Sequence, residues 1–179
     1  MSRSKKEVSG NRGADTGKVY RPRLIISGGQ TGVDRGALDA AIALGIPHGG
    51  WCPKGRLAED GTIPAQYMLQ ETDSPQYAVR TEQNVLDSDA TLIFCRGPTT
   101  GGTEWTRICA LRHGRPFLVV DLNEPIDWQA LRRWLAERRP GVLNVAGPRE
   151  SQAPGIQQQV QQILIRLFSE EEAVLKSGC

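Results

Sequence analysis

Apolar residues gather in short unbroken runs: Leu24-Ile25-Ile26, Thr91-Leu92-Ile93-Phe94-Cys95, Phe117-Leu118-Val119-Val120 and Val142-Leu143-Asn144-Val145. Runs this short, apolar at nearly every position rather than at alternate ones, predict strands buried on both faces. Between them, apolar residues return at helical spacing. Residues 33–44 predict a helix with Leu38, Ala41 and Ile42 on one side and Gly45 just past its end. Residues 78–88 predict a second. Residues 104–113 predict a third, with Trp105, Ile108 and Cys109 on one face and Gly114 as its stop. Asp127 is placed to cap a helix that turns Leu131, Trp134 and Leu135 inward. The clearest stripe is Ile156, Val160, Ile163, Leu164, Leu167 and Phe168, in a helix expected over 155–175. Weaker signals place short strands at 47–51 and at Tyr67-Met68-Leu69, with irregular chain over 52–66.

Doubly buried strands alternating with amphipathic helices imply an α/β fold: a three-layer, Rossmann-like arrangement with a mostly parallel sheet covered by helices on both faces. In such sheets the loops leaving the carboxyl ends of the strands form the ligand cleft. Here those loops follow residues 27, 50, 95 and 146.

Charge refines this picture. The net charge is +2, yet Arg3, Lys5, Lys6, Arg12, Lys18, Arg21 and Arg23 face only Glu7 and Asp15 in the first 23 residues. Residues 1–22 therefore read as a disordered basic leader and 23–176 as a single, slightly acidic ligand-binding domain. That balance makes the domain a poor nucleic-acid binder. No apolar run is long enough to span a bilayer, and the leader lacks an apolar secretory segment, so the expectation is cytoplasmic. The four cysteines (Cys52, Cys95, Cys109, Cys179) form no C-x-x-C, and His48 and His113 are the only histidines, so no protein-ligated metal is expected. Cys95 and Cys109 read as buried thiols. Cys52, near Lys54 and Arg56, is either a thiol of lowered pKa or another buried one.

The 20 glycines, well above an average share of about 7%, concentrate in the candidate loops. Gly28-Gly29-Gln30-Thr31-Gly32 joins a strand to a helix start and is followed by Asp34 and Arg35. It is either a cradle for an anion, built from backbone N–H groups and the helix dipole, or a tight strand-to-helix turn. It is neither G-x-G-x-x-G nor a Walker loop. Thr100-Gly101-Gly102-Thr103 repeats the arrangement after another strand. Glu104, in the first helical turn, either complements the dipole or binds a ligand and acts as an acid or base. Lys54 and Arg56 either hold a phosphate or carboxylate or pair with Glu59 and Asp60. Arg80 is either a ligand contact or a solvated helix residue. Arg149 and Ser151 either close the cleft or belong to an ordinary surface loop.

These motifs carry a resemblance. Ile26-Ser-Gly-Gly-Gln-Thr-Gly-Val-Asp-Arg-Gly-Ala-Leu-Asp39, Gly50-Trp-Cys-Pro-Lys-Gly-Arg56, Gly101-Gly-Thr-Glu-Trp-Thr106 and Asn144-Val-Ala-Gly-Pro-Arg-Glu-Ser151 resemble the putative molybdenum carrier family. This is the circularly permuted YpsA-like branch of the Rossmann-like superfamily that contains LOG and DprA. The resemblance spans about residues 23–168. It implies a carrier whose bound ligand is the molybdenum cofactor or a nucleotide, and a homo-oligomer, dimer or tetramer. LOG members are phosphoribohydrolases with a signature like P-G-G-x-G-T-x-x-E. Here Gly102-Thr103 matches G-T, the final Glu position is Thr106, and Glu104 stands directly after Thr103.

The expectation drawn from residues and resemblance together is a small-molecule binding protein for a phosphorylated ligand. Backbone N–H groups of Gly29, Thr31 and Gly32 take one anionic group, beside Gly28, Gln30, Asp34 and Arg35. Gly101, Gly102 and Thr103, beside Thr100 and Glu104, take another. Lys54, Arg56, Arg80 and Arg149 supply counter-charge, with Ser151 at the rim. The alternative is a nucleotide N-glycosidase in which Glu104 is the catalytic carboxylate, assisted by Asp34 or Glu59. A third reading is a signalling module that senses a nucleotide.

Overall fold

The structure is a computed structural model, and it describes residues 20–169. Most of the basic leader, and the helix expected beyond residue 169, lie outside the described residues. The last residues of that leader pack on the domain: Tyr20 Oη donates to the Pro140 carbonyl, and Arg21 donates to the Leu44 carbonyl at 2.6 Å.

β1 (Leu24–Ile26) leads through a glycine loop into α1 (Val33–Leu44) and then β2 (His48–Gly49). Gly45 ends α1 in the left-handed conformation, φ 64°, as its position predicts. Further along run α2 (Tyr77–Leu86), β7 (Ala90–Cys95), α3 (Gly101–Arg112), β8 (Phe117–Asp121), α4 (Trp128–Arg138), β9 (Val142–Ala146) and α5 (Ile156–Phe168). Five strands form one sheet in the order β2-β1-β9-β7-β8, and every pairing in it is parallel. Asp127 caps α4 by accepting the Ala130 N–H at 2.9 Å.

The two faces of the sheet are covered by different helices. Ile25, Leu92, Phe94, Leu143 and Val145 share one core with α1, α4 and α5, including Leu131, Leu135, Ile156, Val160 and Leu164. Val85 of α2 and Cys109 and Ala110 of α3 form the second, with Trp105 and Phe117 against them. All six residues of β7 are buried. β8 is an edge strand, and its Val119 is exposed, so apolar composition alone overstated its burial.

Other expectations shift. The strand read at 47–51 divides at Gly50, whose φ is 124°. His48–Gly49 pairs with β1, whereas β3 (Trp51–Cys52) leaves the main sheet to pair with β6 (Gln70–Glu71). A Cβ on Gly50 would lie 2.2 Å from the Ser27 carbonyl oxygen, so this turn requires glycine. Tyr67-Met68-Leu69 is not a strand. Tyr67 is buried in a small cluster with Leu38, Cys52 and Ile63, and its hydroxyl donates to Asp39 at 2.7 Å. The stretch read as irregular contains a hairpin, β4 (Leu57–Ala58) with β5 (Gly61–Thr62). α3 begins at Gly101, three residues before the predicted start at 104.

α1 and α5 pack closely across Gly36, where an added Cβ would stand 2.4 Å from the Gln157 backbone oxygen. Backbone cannot yield there as a side chain would. Overpacking costs about 1–3 kcal/mol, against a helix-propensity gain of about 1 kcal/mol for alanine. Gly36→Ala is therefore expected to lower stability by about 1–2 kcal/mol in urea unfolding, and an unchanged midpoint would refute this account of the α1–α5 contact.

Candidate functional site

The carboxyl ends of β1, β9 and β7 open into a cleft of about 280 Å³. One side is Gly28, Gln30 and Asp34, the floor is Asn144 to Gly147, and the other side is Gly101 to Thr103 with Trp105 and Thr106. α2 contributes Tyr77, Ala78, Arg80, Thr81 and Asn84, and the loop after β9 contributes Arg149 and Gln152. A second hollow of about 270 Å³ adjoins it, lined by Cys95, Arg96, Thr99, Thr100 and Pro148, with Thr103 and Gln152 common to both.

Arg80 is the centre of the first wall. It is 8% exposed and donates from Nη1 to Asp34 Oδ2 at 3.0 Å. The pair joins α2 on one face of the sheet to α1 on the other. Gly28 makes room for it, since a Cβ there would fall 1.6 Å from Arg80 Nη1 and 2.8 Å from Asp34 Oδ2. Burial pushes the Asp34 carboxyl upward, opposed by Arg80, the Gln30 N–H and Ser27. The Arg80 guanidinium also lies 5.5 Å from the Tyr77 ring, and Arg149 approaches the same ring at 5.5 Å. Two buried donors in this wall, Gln30 Nε2 and Arg80 Nε, have no acceptor.

The two glycine loops, alike in composition, differ in fate. The first is clasped by the chain itself. The Val33 N–H donates to the Pro148 carbonyl at 3.2 Å, and the Thr31 N–H donates to Gln30 Oε1 at 3.0 Å. Gly29 packs under Leu69 and Ile63, and Gly32 under the backbone of 148–150. Thr31 Oγ1 donates to Glu59, as does Ser151 Oγ. Arg35 forms a bidentate pair with Asp60 at 2.6 and 2.8 Å. Gly29, Thr31, Gly32, Arg35 and Ser151 thus hold loops and the hairpin together and do not line the cleft. The second loop is open. Thr100 makes no side-chain cap to α3, so the first-turn N–H groups of Gly101 and Gly102 lack that partner. A Cβ on Gly102 would meet nothing within 4 Å.

Other expected contacts also turn elsewhere. Arg56 donates to the carbonyls of Ile63, Pro64, Tyr67 and Leu69 at 2.9–3.4 Å, which folds the 56–69 segment around one guanidinium. Lys54 is exposed on the turn after β3 and does not line the cleft. Glu104 lies outside the cleft lining. It accepts from Arg107 Nε at 2.9 Å and from Thr99, which hold its carboxyl down at about 2. At the equivalent of the LOG glutamate, the cleft presents Thr106, whose hydroxyl donates to the Gly102 carbonyl at 3.1 Å. Cys52 is fully buried and burial raises its pKa, so the choice left open by the sequence resolves to an inert thiol. Among the described residues, no group of His, Cys, Asp and Glu is placed to hold a metal ion, and no helix is long and apolar enough to cross a membrane.

A model of the circularly permutated YpsA SLOG family matches residues 25–168. The chain belongs to that family. Among solved structures, the chain is similar to the putative molybdenum carrier protein of Syntrophus aciditrophicus SB, at 45% identity over 84% of this chain and 96% of that one, with a TM-score of 0.79. No curated protein matches the chain. Family and fold support a ligand-binding role, and the cleft lies where a Rossmann-like sheet places one.

Tyr77, Trp105, Asn144 and Gln152 line the cleft without having been singled out for it. Trp105 was read as core packing, yet it is half-buried and donates to the Ala78 carbonyl at 3.2 Å. Asn144 left a usable signal: a polar residue inside an apolar strand, buried and bonded to Thr91 Oγ1 at 3.2 Å. Tyr77 left none, because its role depends on where α2 packs.

Two outcomes follow. Gly28→Ala evicts Arg80 and strands Asp34, so a loss of about 3 kcal/mol is expected in urea unfolding. Glu59 feels burial, which raises it, but hydrogen bonds from Ser151 and Thr31 outweigh this and lower its pKa. A lowered carboxylate adds stability above its unfolded pKa, near 4, that is lost as pH falls through the folded value. Glu59→Gln should therefore flatten the acid limb of the stability curve below pH about 4, and an unaltered limb would contradict it.

Proposed function

We propose that the chain is a binding protein that holds a phosphorylated small molecule, the molybdenum cofactor or a nucleotide, in the cleft above β1, β9 and β7. The observation that carries this reading is the donor character of the walls. Gln30 Nε2 and Arg80 Nε are buried without acceptors, and α3 starts without a side-chain cap. A buried donor left unmade costs about 1–3 kcal/mol, so a ligand rich in oxygen acceptors recovers what the free protein forgoes. Phosphate suits the open start of α3, where Gly101 and Gly102 offer N–H groups and the helix dipole is positive. Arg149, half-exposed and 3.9 Å from Glu59, supplies the adjustable charge at the rim. The name of the Syntrophus protein points to the same kind of cargo.

Binding needs no reacting carboxylate, and the lining offers none that is free. Among the described cleft residues, Asp34 is the carboxylate, and it is spent on Arg80. The compartment proposed is the cytoplasm, and the assembly proposed is a homo-oligomer, read by light scattering with and without ligand.

Isothermal titration of the full chain with molybdopterin and with a panel of nucleoside monophosphates tests the reading. Saturable binding is expected for at least one of them. Arg149→Ala should weaken it about tenfold through loss of one charge-assisted contact, while Lys54→Ala should not. Absence of binding at millimolar ligand by folded protein overturns it.

A further inference from the structure

The two unmatched donors lie in the same wall, and their surroundings say what they read. Gln30 is 6% exposed, and its Oε1 accepts two backbone N–H groups, Thr31 at 3.0 Å and Glu59 at 2.9 Å. Backbone N–H groups only donate, so the amide is locked with oxygen on that side and Nε2 on the other. Nε2 has no acceptor among the described residues. Arg80 spends Nη1 on Asp34, and Asp34 also accepts the Gln30 N–H at 3.1 Å. The guanidinium is therefore charge-balanced, while its Nε remains unmatched.

This end of the cleft is thus neutral in sum and carries only donors to spare. A second anion there would face the Asp34 carboxylate, so phosphate is disfavoured at this end. It goes to the start of α3, which lies across β9, two strand spacings or about 10 Å away. The walls between hold two aromatic rings, Tyr77 and Trp105. A flat ring with a phosphorylated arm spans these parts, ring edge toward Gln30 and Arg80.

Resting on the function proposed above, we propose that Gln30 and Arg80 select a ligand whose ring presents an oxo oxygen at this end, against one that presents an amino group. Two donors meeting an oxygen satisfy both sides. Two donors meeting an amino group leave buried polar groups unpaired on each side, which is how such sites discriminate most strongly.

The test uses three nucleotides with the same phosphate: inosine, purine-riboside and adenosine 5′-monophosphate. They carry an oxo group, a hydrogen and an amino group at one ring position. Titrated into the wild-type full chain, the inosine compound is expected to bind at least tenfold tighter than the adenosine compound, with the purine-riboside compound weaker than inosine. Gln30→Glu keeps an oxygen for the Thr31 and Glu59 N–H groups but replaces the spare donor by an acceptor. It should abolish or invert the preference, in protein whose circular dichroism matches wild type. Equal binding of all three, or a preference for the amino compound, overturns the inference and leaves the carrier reading in place. Binding of none of them also overturns it, and molybdopterin titrated in parallel then decides the carrier reading separately.

Discussion

β9 comes last among the strands and lies in the middle of the sheet, between β1 and β7. That placement governs the rest. Parallel neighbours send their carboxyl ends to the same edge, so loops beginning near residues 27, 95 and 146 meet although the chain between them is long. The same placement stacks α5 on α1, close enough that Gly36 meets the Gln157 backbone. It also brings the 148–150 backbone over Gly32, which closes the first glycine loop. With β9 at an edge instead, neither that closure nor the floor formed by Asn144 to Gly147 would exist.

The cleft is built from contrast. One wall is a buried ion pair, Arg80 with Asp34, laid flat on Gly28 and tying the two helical layers together over the sheet edge. Burying two charges is costly unless their remaining hydrogen-bonding groups are satisfied, and here Arg80 Nε is not. The opposite wall is the bare start of α3. Behind the first wall, the hairpin is fastened by Arg35 to Asp60 and by Thr31 and Ser151 to Glu59. These bonds stiffen Gln30 by fixing its oxygen, so a structural clasp also prepares a donor for the cleft.

Much of the fold could be read from residues alone. Helix α1 was legible at both ends, because periodicity and a terminal glycine agree there. β7 was legible because it is central and wholly buried. Tyr67-Met68-Leu69 misled, since an apolar triplet suits a strand equally well or a buried turn, and the Tyr67–Asp39 bond favours the turn. In the site, Gly28, Gln30, Asp34, Arg80, Gly101, Gly102, Thr103 and Arg149 were named from sequence and do line the cleft. Arg56 and Glu104 were named on equal grounds and face other partners. A basic residue in a loop looks the same whether its guanidinium meets four carbonyls or a ligand.

What the sequence determined by itself is the alternation of buried strands and amphipathic helices, and with it a parallel sheet whose glycine loops gather at one edge. Periodicity is local, so it survives without knowledge of neighbours. Only the tertiary structure decided which glycine loop is open. Gly29 and Gly32 are filled from outside by Leu69 and by residues 148–150, whereas nothing in the chain approaches Gly102. Loop composition is blind to that difference, because it depends on which distant segments pack against the loop.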